Sequence, residues 1–190
     1  VAVDKLQAGQ FQPRSTFEKE ALQDLANSIK ENGILQPIVA RRISSGKLEI
    51  VAGERRWRAA QIAGLHEVPV ILKSYDDKQA LELAIIENIQ REDLNPIEEA
   101  EGYARLISEF KLSQQQVAER VGKDRATISN AVRVLSLSIE IRDMVSSGEL
   151  SVGHAKVLLG LNNPEKQLLM AKKVVAEKIA VRKLEKMVHA

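Results

Sequence analysis

Gly53-Glu54-Arg55-Arg56-Trp57-Arg58 sets three guanidinium groups within a few residues of a glycine. The apolar run Leu48-Glu49-Ile50-Val51 before it reads as a buried strand. Ala59-Ala60-Gln61-Ile62-Ala63 after it is helix-forming, and Gly64 stops the helix. A strand–glycine–helix order turns backbone N–H groups toward a ligand at the positive end of a helix dipole. Arg55, Arg56 and Arg58 add full positive charge at that end, which costs helix stability unless an anion, best a polyphosphate, relieves it. The spacing is neither a Walker loop nor a Rossmann fingerprint. The same residues also read as solvated arginines paired with carboxylates such as Glu54.

A second cluster is Glu87-Asn88-Ile89-Gln90-Arg91. Glu87 and Asn88 are adjacent oxygen donors. Mg²⁺ beside a nucleotide needs only one or two such ligands, with water and phosphate oxygens completing the shell. Arg91 is within reach of a phosphate on this reading. The alternative is a helical i, i+4 ion pair between Glu87 and Arg91.

The third cluster lies in residues 113–135. Ser113 with Gln116 forms a capping box. Val117, Ala118 and Val121 line the inner face of a first helix, Gly122 makes a tight turn, and Asp124 caps a second helix whose Ile128, Val132 and Leu135 point inward. The outer face of that second helix offers Arg125, Thr127, Ser129, Asn130 and Arg133. This is a helix-turn-helix pattern, and small polar groups with arginine suit major-groove base edges and phosphates. A plain αα-hairpin with a solvated face is the competing reading. Ser151-Val152-Gly153-His154-Ala155-Lys156 opens a further helix that brings Lys156, and on one reading His154, to a phosphate; the other reading makes His154 structural.

Bulk properties bound these readings. The 190 residues are 44% hydrophobic but 3% aromatic, so the core is built from Leu, Ile, Val and Ala, which suits helices. With Cys 0 there is no disulfide framework, thiolate metal site or cysteine nucleophile. His66, His154 and His189 are too scattered for a metal site. No apolar run reaches the length of a membrane span and no signal peptide is visible, which predicts a cytoplasmic protein with no membrane partner. Net charge is +2, unevenly spread: residues 112–190 hold 13 Lys+Arg and 8 Asp+Glu, and residues 1–111 hold 15 and 18. The basic excess places nucleic-acid contact in the second half.

The elements that must position these clusters follow from pattern. Residues 1–16 read as polar and irregular, with Gln12-Pro13-Arg14 extended by the proline. Residues 17–32 are helical, with Leu22, Leu25, Ala26 and Ile29 on one face and Gly33 as cap. Residues 37–43 and 48–51 form a hairpin through a turn at 44–47, and residues 68–72 form a third strand, set at an edge by Pro69. Residues 76–93 are helical, with Leu81, Ala84, Ile85 and Ile89 on one face. Asn95-Pro96-Ile97-Glu98 starts a helix that runs to about Lys111. Beyond it the chain is all-helical, with breaks at Gly148 and Asn162-Asn163-Pro164 and a wobble near Lys178.

Taken together, the segments resemble the ParB family of chromosome and plasmid partition proteins. Four pieces carry the resemblance: Gln12-Pro13-Arg14; Gly33-Ile34-Leu35-Gln36-Pro37-Ile38; the Gly53–Arg58 box; and Glu87-Asn88-Ile89-Gln90-Arg91 followed by Leu94-Asn95-Pro96-Ile97-Glu98-Glu99-Ala100. The helix-turn-helix and the Gly153-His154-Ala155 helix follow in order. The resemblance implies an α+β ParB/sulfiredoxin-like nucleotide-binding domain over residues 1–94 and an all-α DNA-binding domain over residues 95–190. It implies a homodimeric, CTP-gated sliding clamp on the centromere site parS, with slow CTP hydrolysis. CTP would contact Gln12, Arg14, Gly33, Ile34, Gln36, Pro37, Gly53, Glu54, Arg55, Arg56, Arg58, Asn88 and Arg91. Glu87 and Asn88 would hold Mg²⁺, and Arg55 and Arg56 would aid hydrolysis. DNA would meet Gln114, Lys123, Arg125, Ala126, Thr127, Ser129, Asn130, Arg133, Gly153, His154 and Lys156. The implied partners include the ParA ATPase and the SMC condensin, and the implied location is the nucleoid. A basic ParA-stimulating tail and a C-terminal dimerisation domain are expected to be absent from this sequence. The same residues also fit a nucleoid-occlusion protein with the same switch, or a helix-turn-helix transcriptional regulator whose α/β half binds no nucleotide. Sulfiredoxin chemistry is excluded by the missing cysteine. A small-molecule kinase sits poorly with a helix-turn-helix.

Overall fold

The structure is a computed structural model that describes residues 1–11 and 19–189. Gln12 and Arg14, expected at the nucleotide, lie outside the described residues. The chain divides into two compact units, Val1–Asn88 and Ile89–Ala190.

The first unit is a mixed sheet with helices. Its strands are β1 (Leu6–Gln7), β2 (Ile38–Arg42), β3 (Leu48–Ala52) and β4 (Val70–Leu72), in the order β1-β3-β2-β4. β2 and β3 are an antiparallel hairpin with Arg41 opposite Glu49 and Arg42 opposite Leu48, so the turn between them sets the register. β4 runs parallel to β2 at the edge, as Pro69 requires. β1 pairs parallel with β3 at the other edge, and a 3₁₀ turn, Val3–Lys5, precedes it. The opening residues are therefore not irregular, as their composition suggested. Val3 and Leu6 are drawn into the core, and the Trp57 indole N–H donates to the Val3 carbonyl at 3.1 Å.

Three helices complete this unit: α1 (Lys19–Asn32), α2 (Glu54–Ile62) and α3 (Asp77–Ile89). Ile38, Ala40, Leu48 and Ile50 pack with Ala60 and Trp57, while Ala26 and Ile29 of α1 pack on Ala59 of α2. β3 is buried over four consecutive residues, as a strand covered on both faces must be. A cavity of about 10 Å³ beside Glu49 and Val51 is closed by Ala80 and Ala84 of α3. α3 ends at Ile89, earlier than its pattern predicted, and buries Ala80, Ala84, Ile85 and Ile89.

The second unit is helical: α4 (Pro96–Phe110), α5 (Gln114–Val121), α6 (Arg125–Val134), α7 (Ile139–Ser146), α8 (Val152–Leu158), α9 (Pro164–Glu177) and α10 (Val181–His189). The first compact unit ends at Asn88. Ile89 explains this: its side chain fills the space over Gly102 of α4, where a Cβ would come within 2.6 Å of it. Asn95 accepts from the N–H groups of Ile97 and Glu98, and Glu98 accepts from the Asn95 N–H, completing the expected capping box. Tyr103 and Leu106 fill the centre of α4, and Ile141, Val145, Leu158 and Leu184 gather in a larger core formed by the later helices. The predicted wobble is Lys178, left-handed at φ 49°, which separates α9 from α10. Among the described residues, no helix is long and apolar enough to cross a membrane.

Candidate functional site

In the first unit the site is built on the turn between β3 and α2. Gly53 caps α2 with φ 100° and ψ 26°, a left-handed conformation that favours glycine, and it supplies no side-chain cap bond. A Cβ here would lie 2.9 Å from Arg56 Nη2. Glycine is thus required twice, by the backbone and by the guanidinium stacked against it.

Arg56 ties two sequence motifs together. Its Nη1 donates to the carbonyl of Gln36 at 2.5 Å and to that of Pro37 at 2.6 Å. The Gly33–Pro37 loop and the Gly53 box therefore form one wall. Gly33 opens that loop in a left-handed turn (φ 70°) after α1, and its N–H donates to the Ile29 carbonyl. Ile34 anchors the loop in the core, while Leu35 and Gln36 point to solvent, Leu35 at 88% exposure. Burial pushes the Arg56 pKa below its ordinary value, opposed by the Glu87 carboxylate.

The three arginines are placed differently. Arg58 Nε and Nη2 donate to Glu54 Oε1 at 2.9 and 2.7 Å, the ordinary i, i+4 alternative. Arg55 is exposed. Glu54 is buried, and its Oε2 has no hydrogen-bond partner among the described residues. A buried acceptor left in this way is costly and marks a place where a proton donor or cation would be welcome.

Glu87 reaches the same bend from α3. Burial of its carboxyl end pushes its pKa up; the Arg56 guanidinium pulls it down, the Glu54 carboxylate raises it, and the Gly53 N–H lowers it. The residue as a whole remains exposed. Two carboxylates, Glu54 and Glu87, thus share one bend, with Asn88 adjacent to Glu87. Oxygen donors of this kind suit a hard divalent cation such as Mg²⁺. Among the described residues no group of three or more His, Cys, Asp or Glu is arranged for a metal, so such an ion would draw further ligands from phosphate and water. Arg91 lies beyond the end of α3. It falls in the second unit, where its Nη2 bonds Asp93 Oδ2 at 2.5 Å.

A charged network missed in the sequence lies beneath the sheet. Arg41 and Glu49 are both 4% exposed. Arg41 Nε and Nη2 reach Glu49 Oε2 at 2.6 and 2.5 Å, and Nη2 also reaches Asp77 Oδ1 at 2.7 Å, in the first turn of α3. The Gln10 N–H donates to Glu49 Oε1 at 3.0 Å. Burial lowers the Arg41 pKa, but Glu49 and Asp77 more than offset it and hold the group above its usual value. The signal was present: a tight turn at 44–47 puts Arg41 opposite Glu49, and opposite charges across a hairpin pair.

In the second unit the helix-turn-helix stands as its pattern requires. Ser113 and Gln116 close a capping box, and Gly122 turns the chain at φ 69°. Asp124 occupies the cap position of α6 but makes no side-chain cap bond. Ile128 is fully buried; Val134 completes the inner face, while Val132 and Leu135 are only half-buried. Lys123, Arg125, Ala126, Thr127 and Arg133 are exposed, and Gln114, Ser129 and Asn130 half-exposed. Arg133 shares a groove of about 340 Å³ with Gly153 and Lys156 of α8. Gly153 serves packing there, since a Cβ would stand 3.2 Å from Val181. His154 is turned inward: Nδ1 lies 2.8 Å from Ser151 Oγ and Nε2 2.8 Å from the Ile179 carbonyl. Both ring nitrogens are engaged, so the histidine positions α8.

Comparison with known proteins fits this two-part geometry. The ParB N-terminal domain matches residues 1–89 and the ParB HTH domain residues 92–190. The chromosome-partitioning protein ParB of Myxococcus xanthus is 52% identical over 188 residues, 98% of this chain and 63% of that protein. A probable chromosome-partitioning protein ParB of Pseudomonas putida is 48% identical over 187 residues, 98% of this chain and 64% of its own. The chain thus spans about two thirds of the length of these relatives, or slightly less. Among solved structures, the C-terminally truncated ParB of Caulobacter crescentus, complexed to the centromeric parS site, superposes with a TM-score of 0.88 at 41% identity, covering 99% of this chain and 97% of that one. With both halves matched in order, the chain belongs to the ParB family.

Proposed function

We propose that this chain is the core of a parS-binding partition protein whose grip on DNA is gated by CTP and reset by slow CTP hydrolysis. One observation carries the nucleotide half of the reading. Arg56 stitches the Gln36–Pro37 loop to the helix N-terminus at Gly53, so a base-side wall and a phosphate-side wall meet at one residue. The likeness to a ParB bound to parS supports the DNA half.

The chemistry then runs through this chain's own groups. N–H groups at the Gly53 bend and the exposed Arg55 donate to phosphate oxygens. Arg56 exchanges a carbonyl for a phosphate and stabilises charge that builds on the transferring phosphoryl group. Mg²⁺, held by Glu87 and Asn88, would neutralise phosphate charge. Phosphate at the Gly53 bend changes the charge that Glu87 faces, and the last turn of α3, which carries Glu87, is the switch: a ligand with different affinity for two poses of that turn shifts their populations. α6 reads base edges through Arg125, Thr127, Ser129 and Asn130, while Arg133 and Lys156 hold phosphates. Self-association in the closed state, ParA and SMC condensin complete the set of proposed partners.

A second reading, a DNA-binding regulator with an inert α/β half, draws support from the carbonyl and carboxylate partners that Arg56 and Arg58 already have. Titration of the chain with CTP, ATP, GTP and UTP, with and without a parS duplex, separates the two. The partition reading expects CTP to bind selectively and parS to accelerate hydrolysis. No nucleotide affinity, even with DNA present, leaves the regulator.

A further inference from the structure

The Arg41–Glu49–Asp77 network has no place in a phosphate or DNA contact, yet two of its members, Arg41 and Glu49, are buried charged residues. Two facts limit what it is for. A buried ion pair is weak evidence for stability, because desolvation cancels most of its Coulomb gain. Asp77, moreover, is 79% exposed at its side chain, so its bond to Arg41 adds little to folding. The geometry shows what it does fix. Arg41 offers one planar fork to three elements: Glu49 on β3, Asp77 in the first turn of α3, and the Tyr75 carbonyl just before that helix. Glu49's other oxygen takes the Gln10 N–H. The far end of α3, about 15 Å away at about 1.5 Å per residue, carries Glu87, whose carboxyl answers to Arg56 and the Gly53 N–H.

We propose that the Arg41–Glu49–Asp77 network is a positioning device for the nucleotide site, fixing the register of α3 against the sheet so that Glu87 meets the Gly53 bend. The proposal rests on the nucleotide reading above. A guanidinium is suited to it, since a rigid fork fixes angles as well as distances, which a lysine does not. The exposed member, Asp77, gives the device a handle that can be removed without opening the core.

The test is a double-mutant cycle on the full chain, read by CTP titration, with Asp77→Ala on one axis and Glu87→Gln on the other. Asp77→Ala alone should weaken CTP about two- to fivefold, with the thermal midpoint and parS affinity unchanged and affinity restored by Asp77→Glu. On the Glu87→Gln background the same substitution should change affinity by less than about twofold, because what it positions is gone. Sites this far apart otherwise behave independently. Losses that multiply, or an Asp77→Ala chain that binds CTP as the parent does, overturn the positioning role and leave the nucleotide reading standing. An Asp77→Ala chain that loses thermal stability and parS binding in parallel marks the network as merely structural. A parent that takes up no CTP removes both.

Discussion

The two units use charge in opposite ways. Among the described residues, the three buried charged side chains, Arg41, Glu49 and Glu54, all lie in the first unit. The second unit buries Tyr103, Leu106, Ile128, Ile141 and Leu158 and keeps its arginines and lysines at the surface. One half holds polar groups inside, where their energies depend on what binds. The other is an apolar core that presents a reading face. On the proposed reading, a ligand that changes charge at Gly53 acts on the half whose interior is sensitive to charge.

The largest expected contrast comes from emptying one side of the buried pair. Arg41→Met leaves Glu49 uncompensated and should cost about 3–5 kcal/mol of first-unit stability; adding Glu49→Leu should recover most of it. Denaturant titration checks both, and a single substitution no worse than the double would remove the special status of the buried charges. Next is Gly53→Ala. A left-handed residue with a Cβ against Arg56 should cost about 1–3 kcal/mol and displace the guanidinium from Gln36 and Pro37. Calorimetry should show nucleotide binding fall while parS binding holds. Ser113→Ala removes the α5 cap and should cost about 1 kcal/mol; a parS gel shift should weaken with CTP affinity intact.

The smallest effect is a pH slope. The Glu87 pKa is raised above its ordinary 4.5 in the fold. The native state therefore holds this proton more tightly than the unfolded chain, and stability falls as pH rises from the ordinary value through the raised one. Glu87→Gln should flatten that fall, matching the parent in acid and exceeding it in thermal midpoint at neutral pH. An unchanged slope would mean that the carboxyl does not feel the bend.

How far the sequence showed this differs between the halves for the same physical reason. The helix-turn-helix was legible because Ser113, Gly122 and Ile128 are local signals at helical period, and even the break at Lys178 followed from local pattern. The strand–glycine–helix bend was legible at Gly53. What was not legible depends on register and on side-chain choice among partners. Arg56 turned to backbone carbonyls, which no reading offered; between readings the sequence left open, Arg58 took Glu54 and His154 took its structural place against Ser151 and Ile179. Val3 and Leu6 joined the core although their neighbours are polar, Leu6 by pairing with β3 and Val3 in the 3₁₀ turn that precedes it. Each of these is decided by which group lies near in space, and spacing alone does not report that.

The central claim is that nucleotide and DNA are handled by separable halves of the chain, with the nucleotide held at the Gly53 bend of the first. Arg56→Ala, titrated with CTP and with a parS duplex, tests it most directly. The account predicts that CTP binding is lost, and CTP-dependent closure with it, while parS affinity stays near that of the parent. Retained CTP binding together with lost parS recognition would contradict it.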